Sequence, residues 1–250
     1  MGYIYAGMGS LHYEWNHLED AWQMMARSTR LNQMTGVPMI LVDGYNSIAR
    51  VLIARGDLNA AEELSEKTAQ LIKEYPVLPE TREMFESCKV RLWLAKGDTK
   101  SAASWSQERL RHGLEAPSFE REAGDIALSR VLITQGAFTE ASRLLRKLAG
   151  SAQTGGRNGR LAEILLLQAR VLQLQDKRGQ ALRSLEESMK FGESGNYIRL
   201  YVDEGKWLED LLSLELKRES LKEPMFLAYS HRLLEAFSRK TETLSTRMTT

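Results

Sequence analysis

The sequence predicts an all-α fold: a right-handed superhelix of about five antiparallel helix pairs with a C-terminal helical cap. Three observations predict it. The turn-forming residues Asn16, Gly56, Gly97, Gly136 and Asp176 recur at spacings of 40, 41, 39 and 40, a self-similarity that marks a helical repeat array. An alanine follows each of them by five residues, at Ala21, Ala61, Ala102, Ala141 and Ala181. Apolar residues recur at helical steps, as in Leu41, Tyr45, Ile48 and Leu52 or Leu161, Ile164, Leu165, Val171 and Leu172, and strand alternation is absent.

Each repeat reads as a hairpin with one helix before the turn residue and one after it. Gly, Asn and Asp enter the left-handed conformation most easily, which explains why that column holds nothing else. Asp57 and Asp98 stand where the next helix needs an N-cap, and the alanine one turn later lets the two helices approach closely. With breaks at Gly36 and Pro38, Pro76 and Pro79, Gly113 and Pro117, Ser151 to Gly159, and Gly192 to Gly195, the repeats span about residues 1–36, 37–77, 78–117, 118–157 and 158–193. The expected helix pairs are 3–15 with 17–34, 39–55 with 57–74, 80–96 with 98–112, 119–135 with 137–149, and 160–175 with 178–191. Residues 194–240 then lose the period and read as capping helices over the last repeat. Residues 241–250, rich in Thr and Ser, read as a disordered tail.

Composition narrows the function. Lys and Arg total 34 against 33 acids, a formal net charge of +1, which offers no general attraction to nucleic acid or to an anionic membrane. No apolar run is long enough to span a bilayer. The single cysteine, Cys88, reads as a buried structural thiol, and a reducing, cytoplasmic setting fits it. No nucleotide-binding loop, paired C-x-x-C, H-E-x-x-H or G-x-S-x-G occurs, so neither a catalytic constellation nor a cofactor is expected. His12 and His17 are five apart, a poor spacing for a shared metal on one helix face, and no metal site is expected. The segment Gly155 to Gly159 could cradle an anion, but reads better as an inter-repeat loop.

One polar column runs in phase with the turns. Arg50, Arg91, Arg130 and Arg170 each stand six residues ahead of their turn, with Ser10 at the matching place of the first repeat. Unpaired, such neighbours would repel. Either each guanidinium pairs with an acid of a neighbouring helix, Glu62, Glu63, Glu140 and Glu186 being candidates, or some present forked donors to a ligand in the concave groove. The expectation is a division of roles. Arg130 and Arg170, among aliphatic neighbours, serve inter-repeat pairing; Arg50 and Arg91, with Tyr3, Tyr13, Tyr45, Asn46 and Trp93, line a ligand or partner groove.

The register resembles the tetratricopeptide repeat, lengthened from 34 to about 40 residues, and in this form it is similar to the superhelix of MalT-type, large ATP-binding LuxR-family transcriptional regulators. The resemblance is carried by Tyr13-Glu14-Trp15-Asn16-His17-Leu18-Glu19-Asp20-Ala21, by the R-V-L-x-x-x-G units at Arg50 and Arg130, and by Tyr197-Ile198-Arg199-Leu200-Tyr201-Val202-Asp203-Glu204-Gly205. The last is similar to a G-Y-x-R-x-F-x-D-E-G signature, from which Asn196 and Tyr201 depart. In such regulators an ATPase module precedes the superhelix and a DNA-binding helix-turn-helix follows it. The resemblance therefore implies an effector-sensing and scaffold domain without either module, taking a small-molecule inducer or a protein or peptide partner, and not itself binding nucleic acid or membrane. A stand-alone adaptor that holds a peptide in its groove is the alternative.

Overall fold

The computed structural model describes residues 2–34, 38–111, 118–218 and 223–248, with the side chains of 38, 39 and 240–248 excepted. Among the described residues there are thirteen α-helices and no strand. Five hairpins come first: α1 (Gly2–Glu14) with α2 (Leu18–Gln33), α3 (Pro38–Arg55) with α4 (Leu58–Glu74), α5 (Pro79–Lys96) with α6 (Thr99–Arg111), α7 (Glu122–Thr134) with α8 (Phe138–Thr154), and α9 (Asn158–Leu174) with α10 (Arg178–Ser194). α11 (Arg199–Val202), α12 (Lys206–Lys217) and α13 (Pro224–Met248) follow. None of the described helices is long and apolar enough to cross a membrane.

The turns explain the repeat. Asn16, Gly56, Gly97, Gly136 and Asp176 all take positive φ, between 59° and 78°. In each turn the amide of that residue bonds three residues back and the next amide five back, as in Gly97 N–H to the Leu94 carbonyl (3.2 Å) and Asp98 N–H to the Trp93 carbonyl (2.8 Å). This closure uses carbonyls the helix end would otherwise leave bare. Asp57 and Asp98 then cap the following helices, accepting from the amides of Ala60 and Ser101. The alanine column is fully buried where the paired helices touch.

Gly156 and Asn196 repeat the same closure between elements. Turns therefore fall at 136, 156, 176 and 196, and the segment expected as a loop at 151–159 is a tight turn: α8 runs to Thr154 and α9 begins at Asn158. Other details differ from expectation for physical reasons. The fully buried positions of α3 are Val42, Asn46, Ala49, Val51 and Ala54, while Leu41, Tyr45, Ile48 and Leu52 are only half-buried, because α3 packs against neighbours on both sides and its small residues face them. α13 carries helical backbone through Met248 over the expected tail, where neither Gly nor Pro interrupts the run after Pro224. The breaks expected at Gly36, Gly113 and Pro117 lie outside the described residues, as do Thr249 and Thr250.

The cap does more than cover the last repeat. Tyr201, Leu208, Leu212, Phe226, Tyr229, Leu233 and Phe237 form one core with Leu166, Leu185 and Met189 of α9 and α10. The same segment also reaches the first repeat. The Ile198 amide donates to the Glu14 carbonyl at 2.7 Å, the Tyr13 hydroxyl donates to Asp203 at 2.5 Å, and Arg199 donates to Asn16 Oδ1 at 3.0 Å. The array thus closes on itself.

Candidate functional site

Closure gathers the concave face into a half-open bore walled by α1, α3, α5, α7, α9 and the segment 197–207. The arginine column points into it. Its acids come from the bore-lining elements and not from the outer helices expected to supply them; Glu62, for example, pairs outside with Lys96. Arg50 reaches Glu14 of α1 at 3.3 Å and lies over the Tyr13 ring at 4.5 Å. Arg91 reaches Glu163 of α9 at 2.6 Å. Arg130 bridges Glu163 at 3.0 Å and Glu204 at 2.6 Å, and Arg160 adds a third guanidinium to Glu163 at 3.0 Å.

Electrostatics follow from this geometry. The Glu163 side chain is 7 % exposed; burial opposes its charge, but Arg91, Arg130 and Arg160 outweigh burial and hold its pKa far below the usual carboxylate range. Burial likewise opposes the charge on Arg130, and Glu204 and Glu163 reverse that. Glu14 is the contrast: burial pushes its pKa up, and the single guanidinium of Arg50 does not restore it. Burial also raises the pKa of Tyr13, with Asp203 adding to the effect.

This network divides the bore. One chamber, about 420 Å³, is lined on one side of the network by Asn46, Ser87, Cys88, Glu122 and Asn158 among others. The other, about 660 Å³, is lined by Ala54, Leu94, Thr134, Leu174 and Trp207 among others. Arg50, Arg91 and Asp203 belong to both walls. In the smaller chamber Asn46, 6 % exposed, has its Oδ1 buried without a hydrogen-bond partner, and so has Glu14 at Oε2. Cys88 sits beside them with its thiol 3.8 Å from the Asn46 carbonyl, its pKa pushed up to about 11 by burial.

The expected groove is therefore only partly assembled. Asn46, Arg50 and Arg91 meet at the smaller chamber, and Tyr13 joins Arg50 and Arg91 at the larger. Tyr3, Tyr45 and Trp93 line neither. Tyr3 is 68 % exposed on α1, Tyr45 accepts a hydrogen bond from Gln33 of α2, and Trp93 packs with Val90, Ala102 and Val131 between hairpins. The expected division of the arginines also changes. Arg91 shares Glu163 with Arg130, which makes the two one unit across three helices. Arg170, expected to pair between repeats, has no carboxylate at ion-pair distance among the described residues. It stacks over Trp207 at 4.8 Å and donates to Gln173, and burial lowers its pKa.

The residues missed at first are the acids Glu163, Glu204 and Asp203. Two of them lie inside the segment 197–205, whose charged side chains are all paired: Arg199, fully buried, holds Asn16 and Asp203, Glu204 holds Arg130, and the Tyr197 carbonyl accepts from Tyr229. Ser188 Oγ donates to the Ala162 carbonyl, which leaves Tyr201 as the donor in its 3.0 Å bond to Ser188. Gly205 makes the positive-φ turn into α12.

A family model described as MalT-like TPR region matches residues 1–218, and the chain belongs to that family. No curated protein matches it.

Proposed function

We propose, taking that membership as the premise, that this chain is the effector-sensing and protein-interaction domain of a MalT-like LuxR-family transcriptional regulator. It works with the ATPase and helix-turn-helix modules of a parent protein, in the cytoplasm, as a binding domain and not as an enzyme. The observation that carries the reading is the smaller chamber. Its volume falls in the range of small-molecule sites, roughly 300 to 1,000 Å³, and it holds two buried acceptors without partners at Asn46 and Glu14. Each such group costs about 1–3 kcal/mol, which a small inducer bearing hydrogen-bond donors recovers. The same ligand would touch Glu14 and Asp203, one from each end of the array. An inducer with different affinity for the closed and opened arrays would therefore shift the balance between them.

A second feature supports a role within a larger assembly. Ile4, Met8 and Leu11 expose an apolar stripe along α1, whereas the outer face of a terminal repeat is ordinarily polar. A neighbouring module packed there would cover it. The adaptor reading is weaker, since the arginine and acid network interrupts the groove that an extended peptide would need. Direct DNA binding is not part of the proposal, given a net charge of +1; sub-micromolar, sequence-selective binding in an anisotropy titration would overturn that.

The test is a thermal-shift screen of small sugars, nucleotides and short peptides, since a ligand of the native state raises its melting temperature. Hits are then titrated against Asn46→Ala, which is expected to weaken them about tenfold, or 1.4 kcal/mol. Hits that bind Asn46→Ala as tightly as the parent refute the assignment of the chamber.

A further inference from the structure

The first turn brings together three side chains that linear spacing keeps apart. His12 lies in the last turn of α1, His17 stands at the N-cap of α2, and Asp20 lies in the first turn of α2. On one continuous helix, residues five apart diverge. Here the chain reverses at Asn16, so the imidazoles approach to 5.8 Å between ring centroids. One ligand atom from each of the three residues lies within 4.8 Å of the others. His12 Nδ1 is buried without a hydrogen-bond partner and faces Asp20 Oδ2 at 3.9 Å. Trp15 packs edge-on against both imidazoles, at 5.9 and 6.4 Å, and forms an apolar wall.

We propose that His12, His17 and Asp20 form a divalent transition-metal site of the zinc type at the first turn. Two imidazole nitrogens and one carboxylate, with a fourth position left to water, are a donor set suited to zinc. Bonds of about 2.0 to 2.2 Å to nitrogen and oxygen put tetrahedral ligand atoms roughly 3.4 Å apart, so the three groups, now within 4.8 Å of one another, need to close by up to about 1.4 Å. His17 and Asp20 are exposed and can make that movement by side-chain rotation. The sequence expectation of no metal rested on one helix face, and the turn removes that premise.

The site also has a mechanical consequence. Between its ligands lie Tyr13, Glu14 and Asn16, the residues that hold Asp203, Ile198 and Arg199 of the cap. A metal bridging α1 and α2 clamps the turn that presents them, so its occupancy reinforces the closure of the array.

The test is isothermal titration of zinc chloride into tag-free, chelator-treated protein, on the parent, His17→Ala and Asp20→Asn. Both variants change exposed side chains, and circular dichroism checks that they remain folded. The parent is expected to take one zinc per chain, and each variant to weaken it by at least the roughly 10–100-fold that losing even an outer hydrogen-bond partner costs. Hydrogen exchange at the Ile198 amide should slow with zinc in the parent and not in His17→Ala. No saturable site in the parent, or equal affinity in all three proteins, overturns the proposal.

Discussion

Replacing Glu163 by Gln removes the charge on which the bore network converges and leaves the shape nearly unchanged. Arg91 and Arg160 are partly exposed and can regain water, but Arg130 is 11 % exposed and keeps only Glu204. Breaking a buried pair from one side costs about 3–5 kcal/mol. Two of the three guanidiniums can rehydrate, so the lower end, about 3 kcal/mol, is expected, and for a chain of this size that lowers Tm by about 6 to 12 °C. The pH dependence adds an independent check. The folded pKa of Glu163 is depressed, so its contribution is present above the unfolded value of about 4.3 and is lost as pH falls through the folded one. The parent should lose stability below about pH 5 more steeply than Glu163→Gln, by up to about 1.4 kcal/mol per pH unit for one proton. Glu14→Gln should behave oppositely. Its folded pKa is raised by burial, so its ionisation costs the native state stability at pH 7, and there the neutral amide should hold or gain stability. Denaturant melts of the three proteins between pH 3 and pH 7 measure both effects. Coincident midpoints and acid slopes for the parent and Glu163→Gln would refute the network as a stabilising unit.

Gly136→Val should lower stability by at least about 1 kcal/mol; no atom lies within 4 Å of its added Cβ, so a thermal melt reads backbone strain alone and Gly136→Asn should recover most of it. Gly192→Ala places a Cβ against the ring and hydroxyl of Tyr201, and the forced shift of that ring should cost about 1–3 kcal/mol in denaturant melts. Cys88, its pKa pushed up to about 11, holds about two orders of magnitude less thiolate at pH 8 than an ordinary thiol of pKa 8.5. Native protein should therefore react with a disulfide reagent at least about a hundredfold more slowly than protein unfolded in guanidinium, and similar rates would contradict its burial.

The hairpins were legible because a turn needing positive φ restricts its position to Gly, Asn or Asp, and a close helix crossing restricts another to Ala. Each rule acts within a few residues and repeats with the fold, so periodicity exposes it. Closure has no such period. Arg130 meets Glu204 and Tyr13 meets Asp203 across 74 and 190 residues, and nothing local to Glu204 or Asp203 shows which turn of the array will face it. For the same reason Tyr3, Tyr45 and Trp93 stand outside both chamber linings: aromatic character marks burial or contact, and only the curvature of the stack decides which side faces the bore. His12 and His17 make a related case: the reversal at Asn16 brings their imidazoles to 5.8 Å, an approach that linear spacing across a turn does not show.

The closure changes how such an array should be understood energetically. An open solenoid is a sum of repeats and nearest-neighbour interfaces, so its ends fray independently. Here the two segments that carry the family resemblance, Tyr13 to Ala21 and Tyr197 to Gly205, lie at opposite ends of the repeat region and bond to each other through Tyr13, Glu14 and Asn16 on one side and Ile198, Arg199 and Asp203 on the other. Opening the seam would expose the fully buried Arg199 and break three long-range hydrogen bonds together, so the first repeat cannot fray without releasing the cap. The acids that balance the arginine column come partly from that cap, Glu204 and Asp203 among them. A change at the seam therefore reaches Arg130 directly through Glu204, and Arg91 through the shared Glu163, a contiguous set of charged contacts from the end of the array to the wall of the smaller chamber.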